Sequence, residues 1–409
     1  MSSIVSKAQA RWLRRVTLIA LANVLPLASV DAQAPGEVGS ADEVQLPDSS
    51  EGSRLGLTFY GGWDSNALDV PGGPSDVVYE LGANLAYGKR GLRSVFGISA
   101  EGFRQGFREF EERSTWRGAA ALMTGWRPSR TLVLGLAAGA SYDYADNFVG
   151  LDGLVLPRSQ AVRLNGDASL EYQLALRTRW LTDVRYEGVL FESGALSDTQ
   201  SGRVRSSLVW RKGVGDEVSV SYRYLIARWG GTEDVNHSAL LGWRHTLSPP
   251  WSFEIQSGVT RLRGAVGEDG ESNPWRVVGE GSLSRVSPRS TVAASYSRFI
   301  TAGYGFGQFQ FSETFALTAT LSLASRVELN ATGALDRSRA LDDSIRGQTE
   351  WAEVRLVTAL HRRLAFVVSY GYRHRDYSTG APVDSHRVGL AVTSAIESRP
   401  AQTPRESSR

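Results

Sequence analysis

The sequence predicts an all-β protein, a closed antiparallel transmembrane β-barrel of about eighteen strands. Three observations lead there. Apolar and polar residues alternate with a period of two over stretches of a dozen residues. Tight turns and longer polar loops take turns along the chain. Tryptophans gather near strand ends and avoid strand centres.

Composition narrows the field first. A 42% apolar content and a mean hydropathy of -0.22 exclude a bundle of membrane helices. Such helices need apolar runs of about 20 residues. The 409 residues include no Cys, which removes disulfides, thiolate metal sites and Cys nucleophiles together. Lysine is confined to Lys7, Lys89 and Lys212, so the basic side chain is almost always Arg. A net charge of +2, without a basic run beyond the N-terminus, argues against nucleic acid as a partner.

Residues 1–32 read as a secretory signal peptide. Lys7, Arg11, Arg14 and Arg15 make a positive start, Val16 to Val30 is mostly apolar, and small residues follow. Cleavage after Ala32 leaves a mature chain of net charge -1, because the removed segment carries +3. Residues 33–51 hold five acidic groups and no basic one, and read as a disordered acidic periplasmic leader.

The barrel is expected over 52–396, with a polar C-terminal tail at 397–409. The expected strands run 52–63, 77–88, 92–104, 114–126, 131–144, 160–174, 179–191, 201–211 and 217–229. They continue with 236–247, 251–263, 274–286, 290–301, 309–323, 326–336, 348–361, 364–373 and 385–396. Alternation is clear in the sixth. Val162, Leu164, Ala168, Leu170 and Tyr172 share one parity, and Arg163, Asn165, Asp167, Ser169 and Glu171 the other. Strands in sandwiches are shorter, about five or six residues. A tilted membrane strand needs about 9–11.

Short turns at 88–91, 127–130, 248–250 and 287–289 alternate with long loops at 64–76, 105–113, 145–159, 192–200, 264–273, 337–347 and 374–384. Short periplasmic turns and long outside loops are the outer-membrane pattern, and an even closed barrel then places both termini in the periplasm. Loop 145–159, with apolar Phe148 to Leu151, is expected to be able to fold inward and narrow the pore. Two aromatic girdles are expected. Trp126, Trp180, Trp210, Trp243 and Trp251 lie at the turn ends, and Trp63, Trp116, Trp229, Trp275 and Trp351 at the loop ends.

If the apolar parity meets lipid, the other parity lines the lumen. The expected pore-lining residues are Glu101, Arg117, Asp143, Arg163, Asp167, Asp183, Arg185, Glu187, Arg203, Arg205, Arg223, Glu254, Glu280, Glu353 and Arg355. Asp183-x-Arg185-x-Glu187 opposite Arg203-x-Arg205 is the densest patch, either a constriction or an ordinary cross-strand ion ladder. No catalytic residue, metal site or cofactor is expected. The five His lack metal-ligand spacing, and His374, Asp376, Asp384 and His386 read as solvated loop polarity.

The segment Leu57-Thr58-Phe59-Tyr60-Gly61-Gly62-Trp63-Asp64-Ser65-Asn66 resembles the opening strand of the outer-membrane β-barrel porins associated with exopolysaccharide loci. The overall plan is similar to eighteen-stranded polysaccharide translocons. That resemblance implies export of a surface polysaccharide (exopolysaccharide, capsule or spore-coat type) and a periplasmic polysaccharide-export protein as partner. The alternative is a diffusion porin taking up small hydrophilic solutes. Both place the chain in the outer membrane of a Gram-negative bacterium, in contact with lipid and lipopolysaccharide. One departure from many barrels is the polar tail, which replaces a terminal aromatic.

Overall fold

The computed structural model describes residues 52–398 apart from 145–159, 193–195, 230–231, 249, 264–274, 304–307, 342–345, 362 and 379–380. The expected signal peptide, the acidic leader, most of the tail and loop 145–159 lie outside the described residues.

Eighteen antiparallel strands form one sheet. They are β1 (Gly52–Asp64), β2 (Asp76–Arg90), β3 (Ser94–Phe107), β4 (Thr115–Trp126), β5 (Leu132–Tyr144) and β6 (Gln160–Ala175). Next come β7 (Thr178–Phe191), β8 (Thr199–Gly213), β9 (Asp216–Trp229), β10 (Thr232–Ser248), β11 (Trp251–Arg263) and β12 (Trp275–Ser287). The last are β13 (Ser290–Gly303), β14 (Gln308–Ala324), β15 (Val327–Ala340), β16 (Arg346–His361), β17 (Leu364–Tyr377) and β18 (Val383–Ser398). Each strand pairs with its sequence neighbours. The sheet closes where β1 meets β18, in register from Ser53 opposite Ser398 to Asp64 opposite Arg387. Closure gives every strand two partners, and pairing lapses at the loop ends of β12 and β13, beyond Gly279 and Arg298.

Several strands run further than alternation alone indicates. β10 begins at Thr232 and β15 continues to Ala340. These extensions are mostly polar, so alternation does not mark them. Local polar contacts hold the first one instead: Arg228 Nε donates to Glu233 Oε2 at 2.6 Å, and Thr232 Oγ1 to the Trp229 carbonyl at 2.8 Å. At the turns, Gly215 adopts φ +85° between β8 and β9, a region that residues with a Cβ rarely occupy.

The two parities separate as expected. On β7, Trp180, Val184, Tyr186 and Leu190 are exposed, while Asp183, Arg185 and Glu187 point inward. On β18, Val388, Leu390, Val392 and Ile396 are exposed, and Arg387 and Ala391 are buried inside. A closed sheet with an apolar outer face is stable in a bilayer, the arrangement of a transmembrane β-barrel.

Eight of the ten girdle tryptophans face outward. Trp229 and Trp351 do not. They are 2% and 4% exposed and point into the barrel, which corrects the girdle assignment for both. Their parity was already informative, since Trp229 lies six residues from Arg223 and Trp351 two residues from Glu353. Residues on one parity share one face of a strand.

Inside the seam, Tyr60 is fully buried, and its ring lies over Gly62 and Gly389, which are cross-strand neighbours. A Cβ at Gly389 would overlap that ring. Gly389→Val is expected to weaken the barrel by about 1–3 kcal/mol through overpacking, read as a lowered urea midpoint for folding into lipid vesicles. Leu317 is 48% exposed on the outer face near the middle of β14. Leu317→Arg is expected to cost about 2–4 kcal/mol in the same assay, and inward-facing Thr318→Arg distinctly less.

Candidate functional site

The interior has two halves with different contents. Near the loop ends it is packed. Near the turn ends it holds a cavity of about 730 Å³.

On one side of the packed half, ion pairs are buried in a tight network. Glu80 accepts hydrogen bonds from Arg117 Nη2 at 2.6 Å and Gln105 Nε2 at 2.8 Å. Arg117 also approaches Asp143 at 3.9 Å and lies over the Phe103 ring. Asp64 accepts from Arg387 Nη2 at 2.7 Å, Ser385 Oγ at 3.0 Å and the Asn66 backbone N–H at 2.9 Å. Asn66 in turn donates through Nδ2 to the carbonyls of Val70 and Asp384. The Asp64–Asn66 pair that carries the sequence resemblance therefore pins the first loop to β18 and holds the seam. Arg355 pairs with Glu353 at 2.7 Å, and Arg375 with Asp69.

On the other side the filling is apolar and comes from a hairpin. Pairing between β12 and β13 stops at Gly279 opposite Arg298, while β13 continues to pair with β14 up to Gly303 opposite Gln308. Beyond Arg298, the β13–β14 hairpin has thus left its neighbour. Ile300, Ala302, Phe309 and Phe311 are buried, in one cluster with Leu225, Ala227, Trp229, Leu240, Leu262 and Val278 from the inner faces of β9–β12. Trp229 meets Phe309 edge-on at 5.3 Å, and its Nε1 donates to the Gly303 carbonyl at 3.3 Å. β9 and β13 are not neighbours in the sheet, so they meet across the lumen.

The cavity reaches the turn end, where Leu92, Arg93 and Arg127 line it, and ends inward at Leu225, Leu240, Phe299 and Ala302. Nine arginines and seven carboxylates line it, with no lysine. Ion pairs run around its wall: Arg163 with Glu187 at 2.7 Å, Arg179 with Glu217 at 2.7 Å, Arg185 with Asp167 at 2.8 Å, and Arg244 with Glu254 at 2.5 Å. Arg205 reaches across to Gln256 at 2.5 Å and Glu280 at 3.4 Å.

Ten of the fifteen expected lumen residues line this cavity: Arg163, Asp167, Asp183, Arg185, Glu187, Arg203, Arg205, Arg223, Glu254 and Glu280. Arg117, Asp143, Glu353 and Arg355 are buried in the packed half instead. Glu101 lies on the inward parity of β3 with Phe103 and Gln105, outside the cavity lining. Alternation did not reveal Phe299 or Trp229, because a large ring on the polar parity looks like a defect in the pattern. His374 pairs with Asp384 at 2.7 Å rather than with Asp376. Among the described residues, no group of three or more His, Cys, Asp or Glu is arranged to hold a metal ion.

No protein-family model matches the sequence, and no curated protein matches it. Solved structures of outer-membrane proteins are similar at a coarse level. OccK2 (OpdF) from Pseudomonas aeruginosa has a TM-score of 0.45 at 12% identity, covering 85% of this chain and 98% of that one. OccAB4 from Acinetobacter baumannii has a TM-score of 0.42 at 12% identity, covering 86% and 100%. The siderophore receptor PirA from Pseudomonas aeruginosa has a TM-score of 0.41 at 10% identity, covering 85% and 80%. Likenesses this remote leave the reading of the chain to its own residues.

If the hairpin contact sets the width of the loop-end half, Trp229→Ala should widen it. Its expected effect is a higher single-channel conductance in planar bilayers than wild type, with the fold retained by heat-modifiable mobility. An unchanged conductance would place the constriction elsewhere.

Proposed function

We propose that the chain is a passive channel for small hydrophilic solutes across the outer membrane, with the turn-lined end and both termini in the periplasm. One observation carries this reading. The closed barrel contains a cavity of about 730 Å³ that reaches the turn end and carries many charged side chains on its wall. That volume lies in the range of about 300–1,000 Å³ typical of small-molecule sites. The inward-facing arginines and carboxylates offer hydrogen bonds to a polar solute as its hydration shell is stripped.

A polysaccharide conduit is less well supported. A polymer needs a wide bore along its whole length, and here buried ion pairs and the β13–β14 hairpin narrow the loop-end half. The exopolysaccharide resemblance rests on the 57–66 segment, whose polar residues have a structural task at the seam. The comparisons lend the export reading no support.

Proteoliposomes containing the barrel are expected to swell faster than empty vesicles in isotonic arabinose or glycine, and no faster in a branched oligosaccharide of several residues. Swelling indistinguishable from empty vesicles for every small solute would overturn the channel reading. Equal swelling with the oligosaccharide would favour a wide polymer pore.

A further inference from the structure

The cavity contains an arrangement of arginines that ion pairing within the barrel does not explain. Arg185 stands directly opposite Arg203 across β7 and β8, and Arg205 opposite Arg223 across β8 and β9. Like charges directly opposite on one sheet face are unfavourable. Two of the four are compensated: Arg185 by Asp167, and Arg205 by Glu280 and Gln256. Arg203 and Arg223 have no carboxylate oxygen within 4.0 Å among the described residues. Asp183, opposite Arg205, is close enough to act on these charges but makes no ion pair within that distance.

Arg223 is the more constrained. It is 8% exposed, its Nε is buried with no acceptor, and its guanidinium lies over the Phe299 ring at 4.4 Å from the centroid. Thr301, on the same hairpin, has a buried hydroxyl without a partner and also lines the cavity. A buried charged donor with no acceptor is costly. The cost is removed when a ligand supplies the acceptor. Within the group, four guanidiniums face Asp167, Asp183 and Glu280, which leaves one positive charge. Phe299, Leu225, Leu240 and Ala302 give the inner end an apolar wall beside these donors.

We infer that Arg203, together with Arg223 seated against Phe299, forms a binding site for a small organic monoanion. Its carboxylate accepts from the two guanidiniums and its apolar body rests on the Phe299 wall. A single negative charge matches the one uncompensated positive charge, and a carboxylate matches the planar fork of Arg. The inference deepens the channel reading, because it names the solute class that this lumen retains on its way through.

Benzoate is the probe, titrated by calorimetry into the full chain refolded in detergent, with benzamide and inorganic phosphate as parallel arms. The expected result is saturable benzoate binding that weakens with salt, at least tenfold weaker binding of benzamide, and phosphate binding weaker than benzoate. Arg203→Gln and Arg223→Gln should each weaken benzoate at least tenfold, whereas Arg337→Gln on the exposed loop end should not. Stability separates a ligand site from a structural role. Removing an uncompensated charge should leave the urea midpoint unchanged or raised, while loss of a structural contact would lower it. Equal binding of benzoate and benzamide, or full retention of benzoate binding in both variants, overturns the site. Phosphate binding as tight as benzoate overturns the monocarboxylate class. A barrel that passes arabinose but binds no benzoate leaves the channel standing and removes the site. A barrel that binds benzoate but passes nothing removes the channel and keeps the site.

Discussion

The constraint on which the rest depends is that no backbone hydrogen bond can be left unmade in hydrocarbon. A sheet satisfies it only by closing, and here closure joins the first strand to the last, across the longest separation in sequence. Joining ends that far apart carries an entropic cost that shorter hairpins avoid. The interior side chains at that seam are correspondingly dense. Tyr60 fills the space that Gly62 and Gly389 leave, and Arg387 on β18 pairs with Asp64 on β1. Asn66 then ties the loop after β1 to the carbonyl of Asp384. A ten-residue segment that resembles a family opening is, in this chain, the fastening of the barrel.

Most of the architecture was legible because a bilayer imposes a period of two. One face of every strand must be apolar, so strand number and facing could be read from alternation, and fourteen of the fifteen charged residues assigned to the interior line the cavity or are buried. The same rule explains where the reading stopped. It says which way a side chain points and nothing about what it meets. Trp229 and Trp351 were placed by their nearness to strand ends, although their parity with Arg223 and Glu353 set them inside. Headgroup affinity is a statistical tendency of tryptophan, whereas parity is geometric, and the geometric signal prevailed.

What fills the lumen was not legible, because it depends on contacts between strands that are distant in both sequence and sheet. Arg223 on β9 meets Phe299 on β13, and Trp229 meets Phe309 on β14. These contacts exist because the β13–β14 hairpin leaves β12 after Arg298 and turns its apolar end inward. In the sequence, Ile300, Phe309 and Phe311 look like ordinary lipid-facing residues. Above the apolar belt such residues face water if they stay in the wall, so burying them inside the barrel is favourable. A barrel large enough to enclose water thus narrows its own bore at the loop end.

The two halves also treat arginine differently, and the difference follows from hydration. In the packed half, charges are removed from water, and each guanidinium needs its own acceptor for burial to be tolerated. Arg387 with Asp64, Arg117 with Glu80, and Arg355 with Glu353 meet that demand pair by pair. Around the cavity, cross-strand rows of like sign, Arg185 with Arg203 and Arg205 with Arg223, stand beside ordinary ion pairs. Arginine suits both settings where lysine would not. Its planar fork holds a carboxylate in two places at once, and its flat face rests on a ring, as at Phe103 and Phe299. The near absence of lysine suits an interior whose cations stack as well as pair.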